Sequence, residues 1–229
     1  MKSKQWRSGW RWGETLENFS KGQLEAIGAV AMTYNDAASA LYDMFESCLT
    51  FPGDKYEITS RINGLDGIAQ IIQIAIETLP LEDQARKEIS AAVAQFSQLK
   101  VYRDVVVHAR ITDVPTAYAV RPDRKGGRSY TILTEKAVKT LWQHINAIRS
   151  ELGEWATVIS HARQLRYGPV KTDRHKEQLE EGLRVATAQA RSHRTRRQSL
   201  PPLPTVPDEE EYRAQQRGRN SATEPRHEH

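Results

Sequence analysis

Between positions 99 and 110 the chain reads Leu99, Lys100, Val101, Tyr102, Arg103, Asp104, three valines, His108, Ala109 and Arg110. These side-chain types can do phosphodiester chemistry. On a helix Asp104 and His108 stand four residues apart and share a face, which brings a carboxylate within reach of an imidazole. A carboxylate partner fixes an imidazole's tautomer and favours its protonated form, as a general base or acid near neutral pH requires. Arg103 precedes His108 by five residues, about 7.5 Å along the axis and roughly 140° around it. Its long side chain can still bend toward a phosphate held near His108. Lys100 and Arg110 would add positive field and are candidate nucleic-acid-binding residues. RNA carries its own nucleophile, the 2′-hydroxyl, so its cleavage needs only a base, an acid and fixed positive charge for the pentavalent phosphorus. Arg103, Asp104 and His108 are the candidate catalytic set, with no metal and no cofactor expected. One copy offers one histidine here, whereas a two-fold homodimer would bring two.

The same cluster sits at the end of an amphipathic segment. Ile89, Ala92, Phe96 and Leu99 recur at helical spacing, so the next positions of that stripe are Arg103 and Val106. Arg103 falls where a core residue is expected. An isolated buried charge costs several kcal/mol, order of magnitude, so this guanidinium must be paired or useful. The plainer alternative is a structural group closing a helix end, in which Asp104 neutralises Arg103 rather than serving His108.

Four apolar stripes would position the cluster. Residues 1–19 form an arm carrying Trp6, Arg7, Trp10, Arg11 and Trp12, whose indoles could stack on bases or fold onto the domain. Ser20 with Gln23 reads as a capping box, followed by the stripe Leu24, Ile27, Ala31, Tyr34, Ala38, Leu41, Phe45, Cys48. Phe51, Pro52 and Gly53 stop that helix. A second follows on Ile58, Ile62, Leu65, Ala69, Ile72, Ile76 and Leu79, weakened by Gly64 and Gly67 and closed at Pro80. The third, from about 81 to 109, carries the charged cluster, although Val105, Val106 and Val107 locally favour a strand. A short β-hairpin with a Gly126 and Gly127 turn fits 112–134. Thr134 then caps a fourth helix on Val138, Leu141, Ile145, Ile148, Leu152, Trp155, Ile159 and Ala162. His144 and His161 on that helix are too far apart for a metal pair and are expected to face solvent.

The expected fold is therefore all-α: an antiparallel four-helix bundle over 20–167, with the hairpin inserted before the last long helix. Apolar residues thin out beyond it. Residues 168–229 read as a basic, proline-rich and acidic tail, largely disordered, with a marginal helix over 172–191 on Leu179, Leu183, Ala186 and Ala190.

Composition sets the outer bounds. In 229 residues, 33 basic and 29 acidic side chains leave a net charge of +4, which permits an anionic partner without requiring one. A single cysteine, Cys48, excludes an intramolecular disulfide and reads as a small buried hydrophobe. No apolar run reaches the ~20 residues that span a bilayer, and the N-terminus lacks a signal-peptide core. A cytoplasmic protein with no membrane partner is expected.

Arg103, Asp104, three valines and His108 resemble the Arg-x4-6-His motif of HEPN domains, all-helical bundles in which a polar residue commonly follows the arginine. The resemblance covers roughly residues 20–165, including long helices before the motif and one after it. It implies a metal-independent endoribonuclease acting as a dimer, of a kind often found as toxins or in defence against phage. Arg103 and His108 would be its catalytic pair and Asp104 their supporting polar residue. A toxin would imply an antitoxin partner. Other members of the family are inactive or pair with a nucleotidyltransferase. Aspartate here replaces the more frequent asparagine, and the hairpin and tail lie outside the minimal domain. A non-catalytic helical interaction module is the alternative of a different class.

Overall fold

The computed structural model describes residues 19–49, 62, 64–108, 110–113, 118–122, 128–132, 134–169 and 172–203. The Trp/Arg arm, the helix stop at 51–53, the glycine turn at 126–127 and the chain beyond 203 lie outside them.

The first helix, α1 (Lys21–Cys48), starts at a reciprocal cap: the Gln23 amide N–H donates to Ser20 Oγ at 3.1 Å, and Gln23 Oε1 accepts from the Ser20 N–H at 2.8 Å. Two otherwise orphaned donors are thereby satisfied. Its buried face runs through Val30, Tyr34, Ala37, Leu41, Met44 and Phe45. Leu24, Ile27, Ala31 and Ala38 of the expected stripe are only half-buried. Ala37 and Met44 carry the difference, because α1 is covered from more than one side and its apolar face is broader than one seam.

Helix α2 (Gly64–Thr78) buries Ile68, Ile72 and Ile76. Its glycines are not defects. Gly64 takes a φ of +69°, a left-handed conformation open to glycine at little cost, and a Cβ on Gly67 would lie 2.7 Å from the Ile62 side chain. Helix α3 (Asp83–His108) continues through the three valines: Leu99 and Val106 are buried, so packing overrides their strand preference. Three short strands follow, β1 (Arg110–Asp113), β2 (Tyr118–Pro122) and β3 (Arg128–Ile132), paired antiparallel in that order, with Val120 opposite both Arg110 and Tyr130.

Thr134 caps α4 (Glu135–Tyr167), accepting from the Ala137 N–H, and every residue of the expected α4 stripe is buried. This helix is the centre of the bundle, packed against α1, α3 and a fifth helix, α5 (Asp173–Gln198). The architecture is all-α, with five packed helices where the apolar pattern indicates four. The helical body extends past 167, and α5 reaches Gln198 where the pattern allows only a marginal helix.

Ion pairs add to a thin apolar seam. Helix α5 buries only Leu179, Ala186 and Ala190, but Arg191, Arg194 and Arg197 recur every three residues and meet carboxylates of the bundle. Arg191 pairs with Glu88 of α3 at 2.9 Å, and Arg197 with Glu151 of α4 at 2.6 Å. The expected solvent exposure of the α4 histidines is also corrected. His144 is buried with Nε2 2.7 Å from the Pro201 carbonyl, and His161 packs beside Gly182 of α5, where an added Cβ would lie 2.8 Å from its Nε2. Both contacts come from the chain after 167.

No helix among the described residues is long and apolar enough to cross a membrane.

Candidate functional site at the end of α3

Arg103 occupies the position its stripe assigns, between buried Leu99 and Val106. Its guanidinium carbon lies 4.3 Å above the Tyr34 ring centroid, and Tyr34 is in turn stacked on Phe96 with centroids 5.1 Å apart. The face of the aromatic ring supplies part of the stabilisation that burial removes. Asp104 adds to it: its carboxylate lies 2.9 Å from Arg103 Nη1, with the two side chains 21% and 17% exposed. A guanidinium so held is largely neutralised yet still open to solvent on one side.

The cluster extends across α2. Lys100 Nζ lies 3.9 Å from Asp66, an acidic residue in the first turn of α2, where negative charge suits the helix dipole. Burial raises the Tyr34 phenol to about 12; Arg103 pulls it down while Asp104 and Asp66 push it up. Tyr34 therefore stays a neutral phenol near neutral pH.

Of the residues singled out by sequence, Lys100, Arg103 and Asp104 come together. The backbone of His108 ends α3 and that of Arg110 opens β1, while the side chains of both lie outside the described residues. The Asp104 to His108 pairing lies there with them, and the pairing that is described for Asp104 goes to Arg103. Sequence reasoning missed Tyr34 and Asp66. Tyr34 stands in the α1 stripe as a core residue, and the one signal it offers is its hydroxyl, the only strongly polar group on that stripe, which calls for a polar neighbour.

Cys48 is half-buried at the end of α1. Desolvation pushes its thiol up to about 12, with Arg163 of α4 acting in the opposite direction. The Arg163 guanidinium also donates to the Leu49 carbonyl, so it serves as a cap for α1.

Comparison of the chain with family models, curated proteins and solved structures returns no match.

Proposed function

We propose that the protein is a metal-independent endoribonuclease of HEPN type, cytoplasmic and homodimeric, with Arg103 and His108 as its catalytic pair. The observation that carries this reading is the fixed, part-exposed guanidinium of Arg103, held over Tyr34 and against Asp104 at the end of α3. A preorganised cation costs no reorganisation when charge develops on a phosphoryl group. His108 removes the 2′-hydroxyl proton, the 2′-oxygen attacks phosphorus, and the 5′-oxygen leaves with a proton from the His108 of the second copy. The products are a 2′,3′-cyclic phosphate and a free 5′-hydroxyl. Asp104 acts on Arg103, and Lys100 and Arg110 attract the RNA backbone. In a toxin role, an antitoxin partner would hold this end of the bundle silent.

Purified protein in EDTA is expected to cut single-stranded RNA to 2′,3′-cyclic phosphate ends, and His108→Ala to lose that activity while keeping its melting temperature. Cleavage that survives in His108→Ala removes the proposed role.

A second reading, a non-catalytic helical interaction module, is favoured by the Arg103–Asp104 ion pair itself, which already satisfies both charges. It predicts intact RNA and a lower melting temperature for His108→Ala as well as for Arg103→Ala, and the His108→Ala melt separates the two readings.

A further inference from the structure

Two hollows flank one ridge of α4. The first, about 210 Å³, lies between α4 and α5, where Trp142, Gln143, Asn146 and Ser150 face His193 and Arg196. The second, about 240 Å³, lies between α4 and α1 and is walled by Ala26, Ala29, the same Trp142 and Gln143, and two charges that are each paired, Glu25 with Lys21 and Lys139 with Glu135. Trp142 is held in place by its indole N–H, which donates to Thr33 Oγ1 at 3.0 Å, and it remains 36% exposed. The strap after α5 closes the far end: His144 Nε2 meets the Pro201 carbonyl, which brings Leu200 into the wall.

Charge separates this trough from the larger hollow of about 530 Å³ between α5 and the start of α3. There the cations are committed, Arg184 to Glu181 and Arg191 to Glu82 and Glu88, and the seam is balanced. Arg196 has no ion pair among the described residues, and no carboxylate lines the hollow it shares with His193. A fixed aromatic face, side-chain amides that both donate and accept, and an uncommitted cation suit a ligand that is planar, hydrogen-bonding and anionic. Each hollow is smaller than the ~300 Å³ at which small-molecule sites begin, so a free nucleotide would be poorly enclosed. A strand laid across the ridge fills both.

We propose that this trough binds single-stranded RNA, with one base stacked on Trp142 and a neighbouring phosphate held by Arg196 and His193. The site is distinct from the end of α3. Thr33, which holds Trp142, and Tyr34, which holds Arg103, are consecutive on α1 and so about 100° apart around its axis. Binding here extends the ribonuclease reading to a second face and does not depend on cleavage.

The test is fluorescence anisotropy of a fluorescein-labelled ten-nucleotide uridine RNA titrated with full-length protein carrying His108→Ala, so that the probe stays whole if the chain is a nuclease. In that background Trp142→Ala is expected to weaken binding about tenfold, the effect of losing one base–aromatic stack. Arg196→Gln is expected to weaken it and to lower the slope of log affinity against log salt by about 0.7, one phosphate contact on a single strand. Arg196 is exposed in the last turn of α5, so that variant keeps its fold; thermal melts check Trp142→Ala, which also loses the Thr33 hydrogen bond. The proposal is overturned if no RNA binds, if either folded variant binds as tightly as its parent, or if a polyglutamate peptide displaces the RNA as readily as unlabelled RNA does. Cleavage by the wild type with unchanged binding in both variants sinks the trough alone. Variant-sensitive binding without cleavage sinks the nuclease alone.

Discussion

Arg197 of α5 donates its Nε–H to the carboxylate of Glu151 on α4 at 2.6 Å, and Glu151 is fully buried. Glu151 adjoins Leu152 on the buried face of α4, so its charge is sustained by one guanidinium delivered from 46 residues away. Removing one partner of such a pair strands the other without solvent. Arg197→Ala is expected to destabilise the protein by about 3–5 kcal/mol in urea unfolding. The double replacement Glu151→Leu with Arg197→Leu is expected to recover most of that, since neither charge is then left alone. A loss below about 1 kcal/mol in Arg197→Ala would contradict the burial argument.

Glu88 gives the same helix an acid limit. Burial alone would raise its carboxyl, but hydrogen bonds from Arg191 and Gln84, with the field of Arg191 and Arg194, outweigh that and hold it below its ordinary value of 4.5. A group whose folded value is depressed stabilises the fold above its unfolded value and loses that contribution as pH falls through the folded value. Protection of α5 against hydrogen exchange is therefore expected to be complete at neutral pH and to decline below about 4.5. In Glu88→Gln the part of that decline owed to this carboxyl disappears. An unchanged acid midpoint in Glu88→Gln would show that another group controls docking.

What was legible in the sequence was local. The Ser20 and Gln23 cap, the Thr134 cap and the apolar stripe of α4 follow from spacing along one chain segment, and all are present. Arg103 was also readable as a charge on a buried stripe, because the stripe is a property of α3 alone. What faces it was not readable: Tyr34 is 69 positions earlier, and helical periodicity fixes a face without fixing the register between two helices. The start of helix α5 and its buried Leu179, Ala186 and Ala190 follow from spacing, but its docking and its extension to Gln198 do not, because an apolar pattern is blind to ion pairs. Glu88 and Glu151, each placed beside a stripe residue, and arginines spaced every three residues were the available signal. The cover over His144 is equally out of reach of spacing, since it comes from the Pro201 carbonyl 57 residues along the chain, in a proline-rich stretch without helical period.

Arg103 and Tyr34 yield a stability prediction independent of any activity. Arg103→Ala removes the guanidinium from the aromatic face and leaves Asp104 without that partner in a half-buried position. A loss of about 2 kcal/mol is expected, from a part-desolvated cation–π contact and the broken pair. Arg103→Lys is expected to recover less than half of it. An ammonium cannot lie flat on the ring while presenting a planar fork to the carboxylate. Equal stability of Arg103→Lys and wild type in urea would show that charge alone matters at this position, and that the stack with Tyr34 does not.

Cys48 offers a reactivity test of the packing at the end of α1. Desolvation raises its thiol to about 12 in the folded protein, against about 8.5 for a free cysteine. Only the thiolate attacks a disulfide reagent, so at pH 8 the reactive fraction is on the order of one in ten thousand when folded and about one in four when unfolded. Aromatic disulfide reagents are therefore expected to modify the native protein at least a hundredfold more slowly than the urea-unfolded chain. Arg163 opposes the burial effect and donates to Leu49, next in sequence to Cys48. Arg163→Ala should thus free the helix end and speed labelling through local opening, even though losing the cation by itself raises the thiol further. Slower labelling in Arg163→Ala would mean that the charge governs access there and the cap does not.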